Sequence, residues 1–220
     1  MTFENGCDTV FSTMSRKFLL FDFDGVFTDT FHEAYSITKL LRPSLTHEGF
    51  RDLFMGNIYE EMANQDKVET PEVVRHSEDE FFVKYFELTK NLGFISGMKD
   101  AVLALSETHH LSVISSASSV IIKEMFEREN VAHYFTDILG SDTETNKTKK
   151  IQMVFDKYGA SAENSLFITD TVGDIREARK LNVDSIAVTW GYHGAERLWT
   201  ANPAALVNTP TELLQIIQNR

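Results

Sequence analysis

Residues Phe21 to Thr30 read FDFDGVFTDT and place Asp22, Asp24 and Asp29 directly behind the apolar run FLLF. Far along the chain ITDTVGDI does the same, with Asp170 and Asp174 following the apolar stretch SLFIT. Carboxylates set where a buried strand ends either cap a turn or hold a cation. If the two segments meet, their like charges raise one another's proton affinity unless positive charge sits among them. A hard divalent ion satisfies that demand. Mg²⁺ takes oxygen ligands, keeps several waters, and is commonly shared between one or two carboxylates and a substrate phosphate. Two further segments suit phosphate. Ser115 closes an apolar run and is followed by Ser116, Ala117 and a helical pattern through Val120, Ile121 and Ile122, so a hydroxyl and free amides stand at a helix start. Lys147 precedes the helical pattern carrying Ile151 and offers an ammonium; Lys149 and Lys150 compete with it for that role, and the spacing to Ile151 favours Lys147 just outside the helix, facing the strand ends.

The elements that must position these groups follow from periodicity. FLLFDF, Leu111–Ser115, Ser165–Thr169 and Ser185–Thr189 are short apolar runs bounded by polar residues, as buried parallel strands are, and FTDILG is a weaker fifth candidate. Between them Met98, Ala101, Val102 and Leu105 share one helical face, as do Ile151, Val154, Phe155 and Tyr158; TELLQIIQ reads as a closing helix. Strand alternating with helix predicts an α/β fold with a doubly wound parallel sheet of order 3-2-1-4-5. Ligands in such sheets bind beyond the carboxyl ends of the strands at the switch point, where the first and fourth strands are neighbours. Asp22, Asp24, Asp170 and Asp174 then converge on one crevice.

Residues 30–93 show only helical patterns: HEAYSITKLL, GFRDLF, IYEEMA and EFFVKYFELTKNL, with helix starts at Thr70-Pro71 and at Ser77. They predict an inserted all-α cap between two parts of a core at 17–29 and 94–220, with residues 1–16 as a leader. Arg42, His47, Arg51, Lys67, Arg75 and Lys84 are the basic residues of this insertion, and Phe81, Phe82, Tyr85 and Phe86 its inner apolar face. His109, His110, His133 and His193 lack metal-ligand spacing and read as surface or loop residues. Asp174 with Glu177 reads as a capping box, a role compatible with a ligand, and Asp29 as a cap for the first insertion helix.

Whole-chain numbers set limits. The 220 residues carry a formal net charge of -12, which repels nucleic acid and anionic membranes. No apolar run reaches the roughly 18 residues of a membrane span. Cys7 is the one cysteine, so no internal disulfide forms and a reducing, cytoplasmic setting is expected for a monomer or loose homodimer.

Together these segments resemble the haloacid dehalogenase superfamily of phosphohydrolases. DFDGV resembles its first motif, VISS the second, Lys147 in NKTKKI the third and DTVGD the fourth, in the family's order. VTWGYHGAERL and the helical insertion resemble the phosphoglycolate phosphatase-like branch and its cap. Thr169 stands where the family more often has Gly or Ser, and the Lys-Pro pair common in the branch is missing. The resemblance implies a Mg²⁺-dependent phosphatase acting on a small phosphorylated metabolite. Asp22 would be the nucleophile and Asp24 the general acid and base. Ser115 and Lys147 would stabilise the transferring group, and Asp22, the Asp24 carbonyl, Asp170 and, through water, Asp174 would hold the metal. Three rivals use the same motifs: a sugar-phosphate mutase, a haloacid dehalogenase, for which Asp24 and the metal are superfluous, and a binding protein with a decayed site.

Overall fold

The computed structural model describes residues 17–65 and 71–219. The expected leader and the Thr70 helix start lie outside the described residues. Among the described residues six strands form one parallel sheet: β1 (Lys17–Phe21), β2 (His109–Ile114), β3 (Phe135–Leu139), β4 (Ser165–Thr169), β5 (Asp184–Val188) and β6 (Ala205–Val207). Their spatial order is β3-β2-β1-β4-β5-β6. The expected order therefore holds for the first five, and β6 extends the edge. Three residues are too few to show a period, which is why ALV gave no signal in the sequence.

Ten helices run among the described residues: α1 (Phe31–Leu41), α2 (His47–Asp52), α3 (Ile58–Gln65), α4 (Pro71–Thr89), α5 (Met98–Ser106), α6 (Ser119–Arg128), α7 (Lys147–Tyr158), α8 (Val172–Arg179), α9 (Ala195–Trp199) and α10 (Pro210–Gln218). The alternation along β1 explains the two-sided winding. Leu19 and Phe21 enter a core with Met98, Val102 and Leu105 of α5, Ile122 and Phe126 of α6, and Leu213 of α10. Phe18 and Leu20 face the other way, into a core with Ile151 and Val154 of α7 and Ala178 of α8. Burying each such Leu or Phe stabilises by about 1.5–3 kcal/mol, so both faces of the central strand demand helices.

Between β1 and α5 lie α1 to α4 and a short 3-10 turn at Leu53–Met55. They pack around a separate cluster of Ala34, Ile37, Phe50, Leu53 and Tyr85. Helix α4 runs unbroken through Ser77, so the second helix start expected there is absent; the apolar pattern after it continues one long helix. The chain returns beside the point where it left, with the Ile95 amide donating to the Phe27 carbonyl at 2.7 Å.

Candidate active site

Parallel pairing of β1 with β4 sets Phe21 opposite Ile168, and the Asp22 amide donates to the Ile168 carbonyl at 2.9 Å. The segments carrying Asp22 and Asp170 thus leave the sheet side by side. Behind Asp22 the chain doubles back in a tight turn. Gly25 adopts φ +71° there, a left-handed conformation costly for any residue with a Cβ. Space enforces the choice as well, since a Cβ on Gly25 would lie 2.0 Å from Asp170 Oδ2.

Lys147 opens α7 as its first helical residue, behind the Asn146 cap, and only 3% of it is exposed. Its Nζ lies 2.8 Å from Asp22 Oδ2 and 2.6 Å from Asp174 Oδ2. Burial opposes the lysine's charge, but Asp174 and Asp22 outweigh it and hold the ammonium protonated well above the ordinary range. The competing lysines go elsewhere. Lys149 is exposed and pairs with Glu144, while Lys150 is buried and donates to the Ser115 carbonyl. Burial and the neighbouring Lys147 charge push the Lys150 ammonium down to about 8.

The four aspartates differ in environment. Burial raises Asp22 well above the carboxylate range; Lys147 pulls it down, and Asp174 and Asp170 add repulsion. Asp174 is also buried, yet Lys147 and a 2.7 Å hydrogen bond from Thr169 Oγ1 help hold it below its ordinary value. Asp170 is fully buried and burial raises it to about 7, although the Tyr192 amide donates to its Oδ2 at 2.7 Å. Asp24 is half-buried and raised by burial, with Tyr85, Thr30 and Lys147 opposing the rise.

Ser115 follows β2 and is fully buried. Its Oγ accepts the Ala117 amide at 3.0 Å, which leaves the hydroxyl proton available to an anion. Asp29 is exposed and accepts the Phe31 amide at 3.4 Å, at the start of α1.

Some expectations need correcting. Asp174 is not an N-cap; Thr171 caps α8, its side chain accepting the Asp174 amide, so Asp174 sits in the first turn. Glu177 is buried and accepts both the Lys147 amide and Asn57 Nδ2 at 3.1 Å each, joining the insertion to α7. His193 is fully buried rather than superficial. Its Nδ1 accepts the Val172 amide at 3.1 Å, and its Nε2 therefore donates to the Arg51 carbonyl at 2.9 Å. Among the described residues non-glycine positive φ occurs at Asn130, Asn182 and Asn202, so Thr169 carries no such strain.

Of the insertion's basic residues, Arg51 Nε donates to the Tyr192 carbonyl at 3.0 Å, His47 stacks on Tyr35, and Lys84 pairs with Glu80 on the surface. Lys67 and the Arg75 side chain lie outside the described residues. Sequence reading missed Tyr85, Thr30, Tyr192, Asn57 and Glu177 as site neighbours. Nothing in a local pattern distinguishes them from core or cap residues.

Among the described residues no three His, Cys, Asp or Glu side chains are arranged to hold a metal ion by themselves. Mg²⁺ needs less, because one or two carboxylates suffice when water and phosphate oxygens complete the shell. Asp170 Oδ1 meets that lesser demand: it is buried and, among the described residues, accepts no hydrogen bond. A buried carboxylate oxygen left so is costly unless a proton or a cation takes it up. The donor set of Asp22 and Asp170 therefore fits a hard divalent ion.

Comparison with known proteins agrees with this geometry. The chain is 25% identical to a phosphoglycolate phosphatase of Vibrio cholerae, an alignment covering 92% of this chain and 97% of the relative. It is 24% identical to the probable phosphatase IndB of Dickeya dadantii, over 90% of this chain and 92% of the relative. In fold it resembles a hydrolase from Pseudomonas syringae, with a TM-score of 0.78, 17% identity, and 93% of this chain and 99% of that one covered. CbbY from Rhodobacter sphaeroides in complex with phosphate is also similar, at a TM-score of 0.74 and 16% identity, over 90% of this chain and 96% of that one. The profile of the haloacid dehalogenase-like hydrolases matches residues 19–188, so the chain belongs to that family of enzymes.

Proposed function

We propose that this protein is a Mg²⁺-dependent phosphatase that hydrolyses a small phosphate monoester through an aspartyl-phosphate on Asp22. The observation that carries the reading is the buried pairing of Asp22 Oδ2 with the Lys147 ammonium at 2.8 Å, beside the Asp170 oxygen that accepts no hydrogen bond among the described residues. On this reading the nucleophile, a fixed positive charge and a carboxylate oxygen suited to a cation stand together. Mg²⁺ would be held by Asp22, Asp170 and the Asp24 carbonyl, with Asp174 behind, and when bound it neutralises charge on the phosphoryl oxygens.

The chain's own residues supply the rest. An Asp22 oxygen attacks phosphorus, the bond to the leaving oxygen breaks, and Asp24 gives that oxygen its proton. Burial raises Asp24 in the direction an acid requires. A water then attacks phosphorus while Asp24 takes its proton; orthophosphate leaves and Asp22 is restored. Lys147 and the Ser115 hydroxyl hold the phosphoryl oxygens through both steps, the main task in phosphoryl transfer. Helices α1 to α4 act as a cap that excludes water.

Phosphoglycolate, which the relatives' names supply, is the first compound to assay, followed by sugar phosphates and nucleotides. Orthophosphate release with Mg²⁺ is expected. Asp22→Asn should lower it by at least about 100-fold, since the covalent route closes. Parent-rate hydrolysis by Asp22→Asn would refute the mechanism, and hexose phosphate isomerisation outrunning orthophosphate release would make the enzyme a mutase.

A further inference from the structure

The contacts of Asp24 reach into the insertion. Tyr85 of α4, 61 residues away in sequence, donates its hydroxyl to Asp24 Oδ1 and is 3% exposed. Thr30 Oγ1 donates to the same oxygen at 2.7 Å and meets the Tyr192 hydroxyl at 3.1 Å. With its own proton directed at Asp24, the Thr30 oxygen accepts from Tyr192. Two O–H donors therefore converge on one oxygen of the carboxyl group.

We infer that Tyr85 is a positioning residue for Asp24, donating with Thr30 to Oδ1 so that Oδ2 is the oxygen that carries the proton to the leaving group. The inference rests on the reading of Asp24 as general acid. A neutral carboxyl has one O–H and one purely accepting oxygen. A proton on Oδ1 would confront two donors, whereas on Oδ2 it leaves Oδ1 to accept both. The network thus selects which oxygen is the acid and fixes the carboxyl's rotation. Because one donor belongs to α4, this arrangement is complete only while the insertion is docked, which ties proton delivery to closure. The same device reaches the cation position, since the amide of Tyr192 donates to Asp170 at 2.7 Å.

Leaving-group dependence separates positioning from mere packing. With Mg²⁺ present, kcat and KM are measured on phenyl, p-methoxyphenyl and p-nitrophenyl phosphate for the parent, Tyr85→Phe, Thr30→Val and Asp24→Asn. A good leaving group departs without help, so loss of a well-placed acid shows on the poor ones. Tyr85→Phe should lower kcat on phenyl phosphate about 10-fold, a fraction of what general acid catalysis supplies, and on p-nitrophenyl phosphate by less than about twofold, with KM little changed. Thr30→Val should behave alike and carries the test should Tyr85→Phe fail to fold. An equal fall across the series in these variants, while Asp24→Asn steepens the dependence, would overturn the inference and leave the acid role standing. Should Asp24→Asn itself leave the dependence unchanged, the acid role and the inference with it would fall.

Discussion

Replacing Lys147 by Met removes a cation bound to both Asp22 and Asp174 while keeping much of the side chain's volume. Asp174 then has no ammonium at 2.6 Å, and with 6% of the residue exposed, water does not replace it. Its carboxyl must take a proton to stay folded. At pH 7 that costs about 4 kcal/mol, because pH 7 lies roughly three units above the ordinary carboxyl value near 3.9, at about 1.4 kcal/mol each. This agrees with the 3–5 kcal/mol typical of breaking a buried ion pair from one side. At pH 5 the same step costs only about 1.5 kcal/mol. The signs are opposite in the two proteins. In the parent, Asp174 is held below its ordinary value, so its contribution is present above about pH 4 and is lost only as pH falls further. In the variant the carboxyl is raised, so its penalty grows with pH. Lys147 stays charged throughout this range in the parent. For a chain of this length about 2–4 °C of Tm accompanies each kcal/mol, so the variant should melt about 8–16 °C below the parent at pH 7 and about 3–6 °C below at pH 5. Thermal unfolding in EDTA, which removes divalent cations from both proteins, makes the comparison. A gap equal at the two pH values, or smaller than about 2 °C at pH 7, would show that Lys147 does not neutralise Asp174 as described.

Gly25→Ala would pay about 1–2 kcal/mol for the left-handed backbone and drive a methyl onto the Asp170 carboxylate. The parent should gain Tm on adding Mg²⁺ and the variant should not; an unchanged Mg²⁺ response would mean that Asp170 does not contribute to the cation's binding. Asp142 accepts the Ser119 amide at 2.7 Å and the Ser119 hydroxyl at 2.6 Å, at the start of α6. Asp142→Ala should cost about 1–2 kcal/mol at pH 7. Partial burial raises Asp142, but these bonds hold it below its ordinary value, so the cost should vanish as pH falls below about 4, read as converging Tm values.

What was legible in the sequence was whatever a local pattern must encode. Ser165–Thr169 is a strand buried on both faces, so all five residues are apolar or small polar, and its bounds could be read directly. The aspartates behind β1 and β4 stood out because carboxylates rarely follow such runs without a reason. Asp174 shows the limit of the method. Thr171 and Asp174 each have an acidic residue three positions on, and local sequence alone did not show which begins the helix; Thr171 does. His193 was misread because its environment comes from Val172 and Arg51, which are remote in the chain.

The insertion was the hardest part to read, for a physical reason. A core strand is constrained along its own length by pairing and two-sided burial, whereas a docked helical layer is constrained by a few groups that cross to another element. Asn57 reaches the Thr145 carbonyl at 3.2 Å and Glu177 at 3.1 Å, Tyr59 the Ser116 carbonyl at 3.0 Å, and Arg176 the Met55 carbonyl at 2.7 Å. Each of these residue types is ordinary on a helix or in a loop, and the contact is a property of two places in the chain at once. Close packing adds to them: a Cβ on Gly173 would lie 2.1 Å from the Gly56 carbonyl oxygen. The first turn of α8 thus holds Asp174 toward Lys147 and meets the insertion through Gly173. Displacing the insertion would therefore break contacts to the segments that carry Ser115, Lys147 and Asp174, so the placement of these three side chains depends on how the insertion is docked.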